Sequence, residues 1–143
     1  MKLSNFFYIT LLLFSLSAKS QREKDVIESL NIKLATFSVS IAGQDTFYQI
    51  KTEEFGKKIV LELFYGNELL SKTVFYRNQF DRIETSIAPA GNLILSIFTK
   101  NGKMSYISIQ ENKEILVTEQ NIPLKTSEAE AQSIKESFEN LLK

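Results

Sequence analysis

Asp81 and Glu84 are the first pair in this chain that could do chemistry. Two neighbouring carboxylates can divide the roles of general acid and general base, and glycosidases do so without a histidine. The spacing is unfavourable. Both residues fall in one β-type run, where an offset of three sends side chains to opposite faces. Glu53-Glu54 stands in a polar connection with nothing beside it to raise a carboxyl pKa. Ser71-Lys72 offers a hydroxyl and an amine, but neighbours on a strand diverge, so a Ser–Lys nucleophile pair is not formed. A carboxylate-dependent hydrolase is therefore the weakest of three functional readings.

The missing residue types narrow the field further. The chain has no Cys and no His. Without Cys there is no disulfide, thiol nucleophile or thiolate metal site. Without His, the usual base of nucleophilic triads and the commonest metal ligand are gone. No glycine-rich phosphate loop is present. No catalytic residue, metal or cofactor is therefore expected, although a two-carboxylate hydrolase needs none of the missing residue types.

The first segment has the layout of a secretory signal peptide: Lys2, then an apolar run from Phe6 to Leu16, then Ser17, Ala18 and Ser20. Residues 1–20 are expected to be removed after Ser20, with Ser17 as the second choice. That would leave a single globular domain over 21–143, located in the periplasm or outside the cell. The run is short for a membrane span, which takes about 20 residues. Without Lys2 and Lys19, the 17 basic residues fall to 15 against 17 acidic ones, with no basic stripe. The footprint of a nucleic-acid binder is missing.

The elements that must position everything else come from hydrophobic spacing. Val26, Ile27, Leu30 and Leu34 recur at helical intervals, which predicts a short amphipathic helix over Glu23–Asn31. Runs from Thr36 to Thr118 then read as strands, with each of Gly43, Gly56, Gly66, Gly91 and Gly102 at a turn or connection. Ile94–Thr99 and Met104–Ile109 flank Asn101-Gly102. That dipeptide suits a type I′ hairpin because both central residues need φ > 0. Two-residue turns would pair Leu63 with Leu70, Ile59 with Val74, Val74 with Ile83 and Ile97 with Tyr106. Pro123 is expected to end the strand region. Ser127-Glu128-Ala129-Glu130 is a capping box, followed by an apolar stripe of Ala131, Ile134, Phe138, Leu141 and Leu142. The fold class is mainly β (α+β). It is an antiparallel β-meander of about seven or eight strands, curved into a half-barrel or barrel, with a helix at each end. The C-terminal helix is expected to dock on Ile94, Phe98, Ile107 and Ile109.

In this register Phe64, Tyr65, Leu69 and Phe75 reach the solvent side of the early strands and form a possible interaction surface. The leading reading is a small, exported, non-catalytic binding module of the cell envelope, its partner an unknown protein. The order of elements resembles that of lipocalin-type carriers, which would imply a small apolar ligand inside a barrel. The chain has no Trp, so the Gly-x-Trp signature of that group is missing.

Overall fold

The architecture is given by a computed structural model that describes residues 3–41 and 43–143, with side chains from Leu16 onward. It is mostly β: nine strands in two open antiparallel sheets, with a helix at each end. Helix α1 spans Leu3–Thr36. The strands are β1 (Val39–Ile41), β2 (Gln44–Glu53), β3 (Lys58–Tyr65), β4 (Glu68–Tyr76), β5 (Phe80–Ile87), β6 (Leu93–Thr99), β7 (Met104–Ser108), β8 (Lys113–Val117) and β9 (Glu119–Leu124). Helix α2 spans Glu128–Leu142. The helix expected over Glu23–Asn31 is the middle of α1, which runs further both ways. It continues past Ser20 without a break. Of the expected leader, Lys2 and the side chains through Ser15 lie outside the described residues. Among the described residues, no helix is long and apolar enough to cross a membrane.

The meander is interrupted. A six-stranded sheet has the order β1-β2-β3-β4-β7-β8, and a three-stranded sheet the order β5-β6-β9. The chain changes sheet three times: at the 3₁₀ turn Arg77–Gln79, at Lys100–Gly102 and at Thr118. Two expectations are corrected here. Asn78-Gln79 is not a hairpin turn, so Val74 does not face Ile83; Ile83 pairs with Ile97. Asn101 and Gly102 do take φ of 63° and 59°, but they turn a corner between sheets. Ile97 therefore faces Gln120 on its other side, and Tyr106 faces Thr73. The strand region also does not end at Pro123, because β9 includes it. β9 is an edge strand, where a missing N–H costs no ladder bond.

The register between β3 and β4 carries a third correction. Tyr65 pairs with Glu68 across the Gly66-Asn67 turn, as expected of a two-residue loop. A bulge then shifts the ladder between Leu63 and Phe64. Leu63 consequently faces Ser71 and Ile59 faces Phe75. One extra residue on β4 swaps the face of everything beyond it. Phe75 turns inward with Ser71 and Thr73, and Leu70 and Val74 turn outward.

The core is one cluster drawn from both sheets and both helices. Leu30 and Leu34 of α1 meet Ile50, Ile59, Leu61 and Phe75 of the large sheet. Ile83, Leu95, Ile97, Ile122 and Leu124 of the small sheet meet Ile134, Phe138, Leu141 and Leu142 of α2. The C-terminal helix thus docks on the inner face carrying Leu95 and Ile97. It does not dock on Ile94, Phe98, Ile107 and Ile109, which lie outside the cluster. Its cap is half the expected box. The Ser127 hydroxyl accepts from the Glu130 amide at 3.3 Å, while the Glu130 carboxylate lies 3.6 Å from Lys33 on α1. The ion pair to a neighbouring helix has taken the place of the reciprocal cap.

A second helix contact protects an edge. β1 is only three residues long, so most of β2 lacks a strand neighbour on that side. Asn31 fills the gap. Its side chain accepts from the Ile50 amide at 2.7 Å and donates to the Ile50 carbonyl at 3.1 Å, as a neighbouring strand would. Between the sheets, Thr73 donates to Gln120 at 2.5 Å and Gln120 donates to Tyr48 at 3.2 Å. This clasp joins β4 and β2 to β9 through otherwise costly buried polar groups. Burial pushes the Tyr48 phenol up to about 12, with Tyr106 adding to the shift and the Gln120 hydrogen bond opposing it.

Candidate functional site

Of the carboxylates considered for chemistry, Asp81, Glu84 and Glu53 are held by cations, and Glu54 is in no ion pair among the described residues. Arg82 collects both members of the first pair, with Asp81 at 2.7 Å and Glu84 at 2.6 Å, and its guanidinium sits 4.3 Å over the Phe98 ring. This is an exposed charge cluster in which the cation holds both acids. Glu53 pairs with Lys58 at the mouth of the β2–β3 hairpin. Ser71 is buried inward, whereas Lys72 points outward to Glu62 at 3.1 Å, so the two diverge as expected. Among the described residues, no group of three or more acidic side chains is placed to hold a metal ion.

Glu62 is the carboxylate with an unusual setting. It is 4% exposed, on the outer face of the large sheet, between Lys51 at 2.5 Å and Lys72 at 3.1 Å. Burial alone would raise its pKa. Hydrogen bonds and charge from the two ammonium groups outweigh burial and hold the carboxyl below the usual range. That direction is opposite to what a general acid needs. It also sets a pH dependence. A depressed folded-state pKa adds stability above the unfolded value, near 4.3, and loses it as pH falls through the folded value. The stability gap between the wild-type protein and Glu62→Gln, read from urea midpoints, is expected to shrink as pH falls below about 4. A gap unchanged from pH 7 to pH 3 would show that the ion cluster contributes nothing.

The aromatic surface is displaced from where the simple register put it. Phe75 is a core residue at 2% exposure, turned inward by the β3–β4 bulge, and is removed from the surface. Phe64, Tyr65 and Leu69 remain half-buried near the Gly66-Asn67 turn. Phe64 stacks on Phe47 of β2, with ring centroids 5.4 Å apart and planes inclined by 12°. The same bulge that buries Phe75 turns Leu70 outward. Ile109 continues the band beyond β7, its amide donating to the Leu70 carbonyl at 2.9 Å. Across neighbouring strands Phe47 pairs with Phe64 and Phe64 with Leu69, and Ile109, 45% exposed, follows beyond Leu70. Ile109 was legible as part of the apolar face expected away from the core, whereas the place of Leu70 depends on the bulge. Against family models, curated proteins and solved structures, the chain shows no match.

Proposed function

We propose that the chain is a small exported module of the cell envelope, periplasmic or extracellular, that acts by binding rather than by catalysis. The observation that carries this reading is the outer apolar row of Phe47, Phe64, Leu69 and Ile109, half-open to solvent while the interior between the sheets is packed with side chains of the core cluster. A row of apolar side chains left on a sheet face is what a protein partner would cover. A packed interior also counts against a carrier, which needs an unfilled barrel.

The test is recovery of partners by the tagged protein, compared with Phe64→Glu and Ile109→Glu. Both side chains lie outside the core, so the variants are expected to keep the wild-type unfolding midpoint and lose the partner. A partner retained by the well-folded double variant would remove this face as the binding surface. Export is tested separately by mass spectrometry of protein recovered outside the cytoplasm. The expected N-terminus is Gln21, and an intact Met1 there would contradict cleavage.

A further inference from the structure

A second surface lies at the far end of the β2–β3 hairpin. Phe55 is the tip of that hairpin and is fully exposed. Its backbone is left-handed, with φ of 57°, between Glu54 at 51° and Gly56 at 81°. For the two residues with a Cβ this conformation is strained. The turn is pinned from beneath. A Cβ on Gly56 would stand 2.9 Å from Glu23 Oε1, and Glu23 is held by Arg77 at 3.0 Å. Strain at an exposed aromatic that buries nothing in its own fold is a pointer to use elsewhere.

The surroundings define that use. On one side of Phe55 lies a cleft of about 570 Å³ that includes Lys57 and the exposed Tyr76. On the other lies a cleft of about 580 Å³ that includes Leu16, Lys19 and Lys24 of α1. Arg22 lines an adjoining cleft that shares Lys19 and Arg77. Among the described residues, Lys19, Arg22, Lys24 and Lys57 have no ion-pair partner, and Glu54 is the one acid lining these clefts in the same condition. Leu16, itself exposed, shares the second cleft with Phe55.

We propose that this end of the molecule docks on an anionic phospholipid surface, with Phe55 and Tyr76 entering the interfacial layer and the free cations Arg22, Lys24 and Lys57 facing lipid phosphates. Aromatic rings seat at the headgroup level, and basic side chains snorkel to it. Unpaired basic side chains around two exposed aromatic rings point to an anionic lipid surface as the occupant. After cleavage at Ser20, Phe55, Tyr76, Arg22, Lys24 and Lys57 would all remain. This surface does not depend on the outer row, which lies six residues back along β2, or about 20 Å at 3.3 Å per residue.

The chain has no Trp, so Phe55→Trp introduces a sole indole reporter. Phe64→Trp provides the matching reporter at the other end of the hairpin. With vesicles of phosphatidylcholine and phosphatidylglycerol, F55W emission is expected to shift to shorter wavelength and to be quenched by brominated lipid, while F64W is unmoved. Phe55→Ser is expected to weaken vesicle binding by about tenfold, the loss of one large buried apolar side chain. Because Phe55 is fully exposed, its unfolding midpoint should match the wild type, which separates docking from folding. F55W emission indifferent to vesicles would overturn the proposal, because lipid bound by the apolar run alone leaves Phe55 in water. An equal shift in F64W, or full binding by Phe55→Ser, would overturn it as well.

Discussion

Replacing Phe138 with alanine is expected to cost about 3–5 kcal/mol, a large part of the 5–15 kcal/mol that holds a typical domain together. Phe138 is 1% exposed and belongs to the cluster that joins α2 to both sheets. Truncation would leave a void among Leu95, Ile97, Ile134 and their neighbours, and a packed interior collapses only partly into such a space. The measurement is the urea midpoint at constant m-value. A control separates the observed docking face from the one expected on pattern alone. Ile94 and Phe98 are half-buried outside the cluster, so Ile94→Ala should cost clearly less than Phe138→Ala. Deleting Ser127–Lys143 should abolish cooperative unfolding, because the inner face of β5 and β6 would meet water. A deletion that unfolds at the wild-type midpoint would mean that α2 is not part of the core.

Gly102→Val is the second large effect, expected at about 3 kcal/mol. Two penalties combine. Gly102 has φ of 59°, a conformation that a β-branched residue strongly resists. A Cβ there would also stand 2.8 Å from Thr118 Cγ2 and 3.6 Å from Thr118 Cα. Two of the three crossings between sheets, at Lys100–Gly102 and at Thr118, therefore press on each other. Thr118→Ser removes the nearer atom, so Gly102→Ala should be better tolerated in that background than alone. The double-mutant cycle measures this coupling. Additive costs would show that the backbone angle carries the whole penalty.

Most strands were legible because alternation and glycine punctuation agree. β5 and β6 fall where the pattern puts them, and Ile87 meets Leu93 across their loop. What failed was which strand lies beside which. Asn101-Gly102 announces φ > 0 at both positions, and that is correct. The local signal is the same whether the chain folds back on itself or passes to another sheet. The choice belongs to distant residues: Thr73 and Val74 claim β7, while Gln120 and Ile122 claim β6. Phe75 was misplaced for a related reason. A bulge at Leu63/Phe64 shifts the ladder without any glycine to mark it, and a one-residue slip exchanges faces. For Asp81 and Glu84, Arg82, which pairs with both, was not seen as their partner. Phe55 follows Glu53-Glu54 in the polar connection, and its sequence neighbours do not announce its conformation. Its left-handed backbone follows from the pinned turn and not from its own preference.

The interleaving of the two sheets sets the order in which this chain can be completed. β6 must wait for β9, its second partner, while β7 and β8 leave to extend the other sheet in between. The pairing of Leu93 with Leu124 and the clasp from Gln120 to Tyr48 span 31 and 72 residues of chain. Loops of that length must close before the contacts inside them repay the lost entropy, which slows folding relative to a simple meander. A chain emerging N-terminus first, from a ribosome or through a membrane channel, has every strand of its large sheet outside before it can close the small one. It would stay open, with Leu95 and Ile97 uncovered, until its last 25 or so residues arrive. Such a polypeptide stays threadable until its C-terminal helix is delivered.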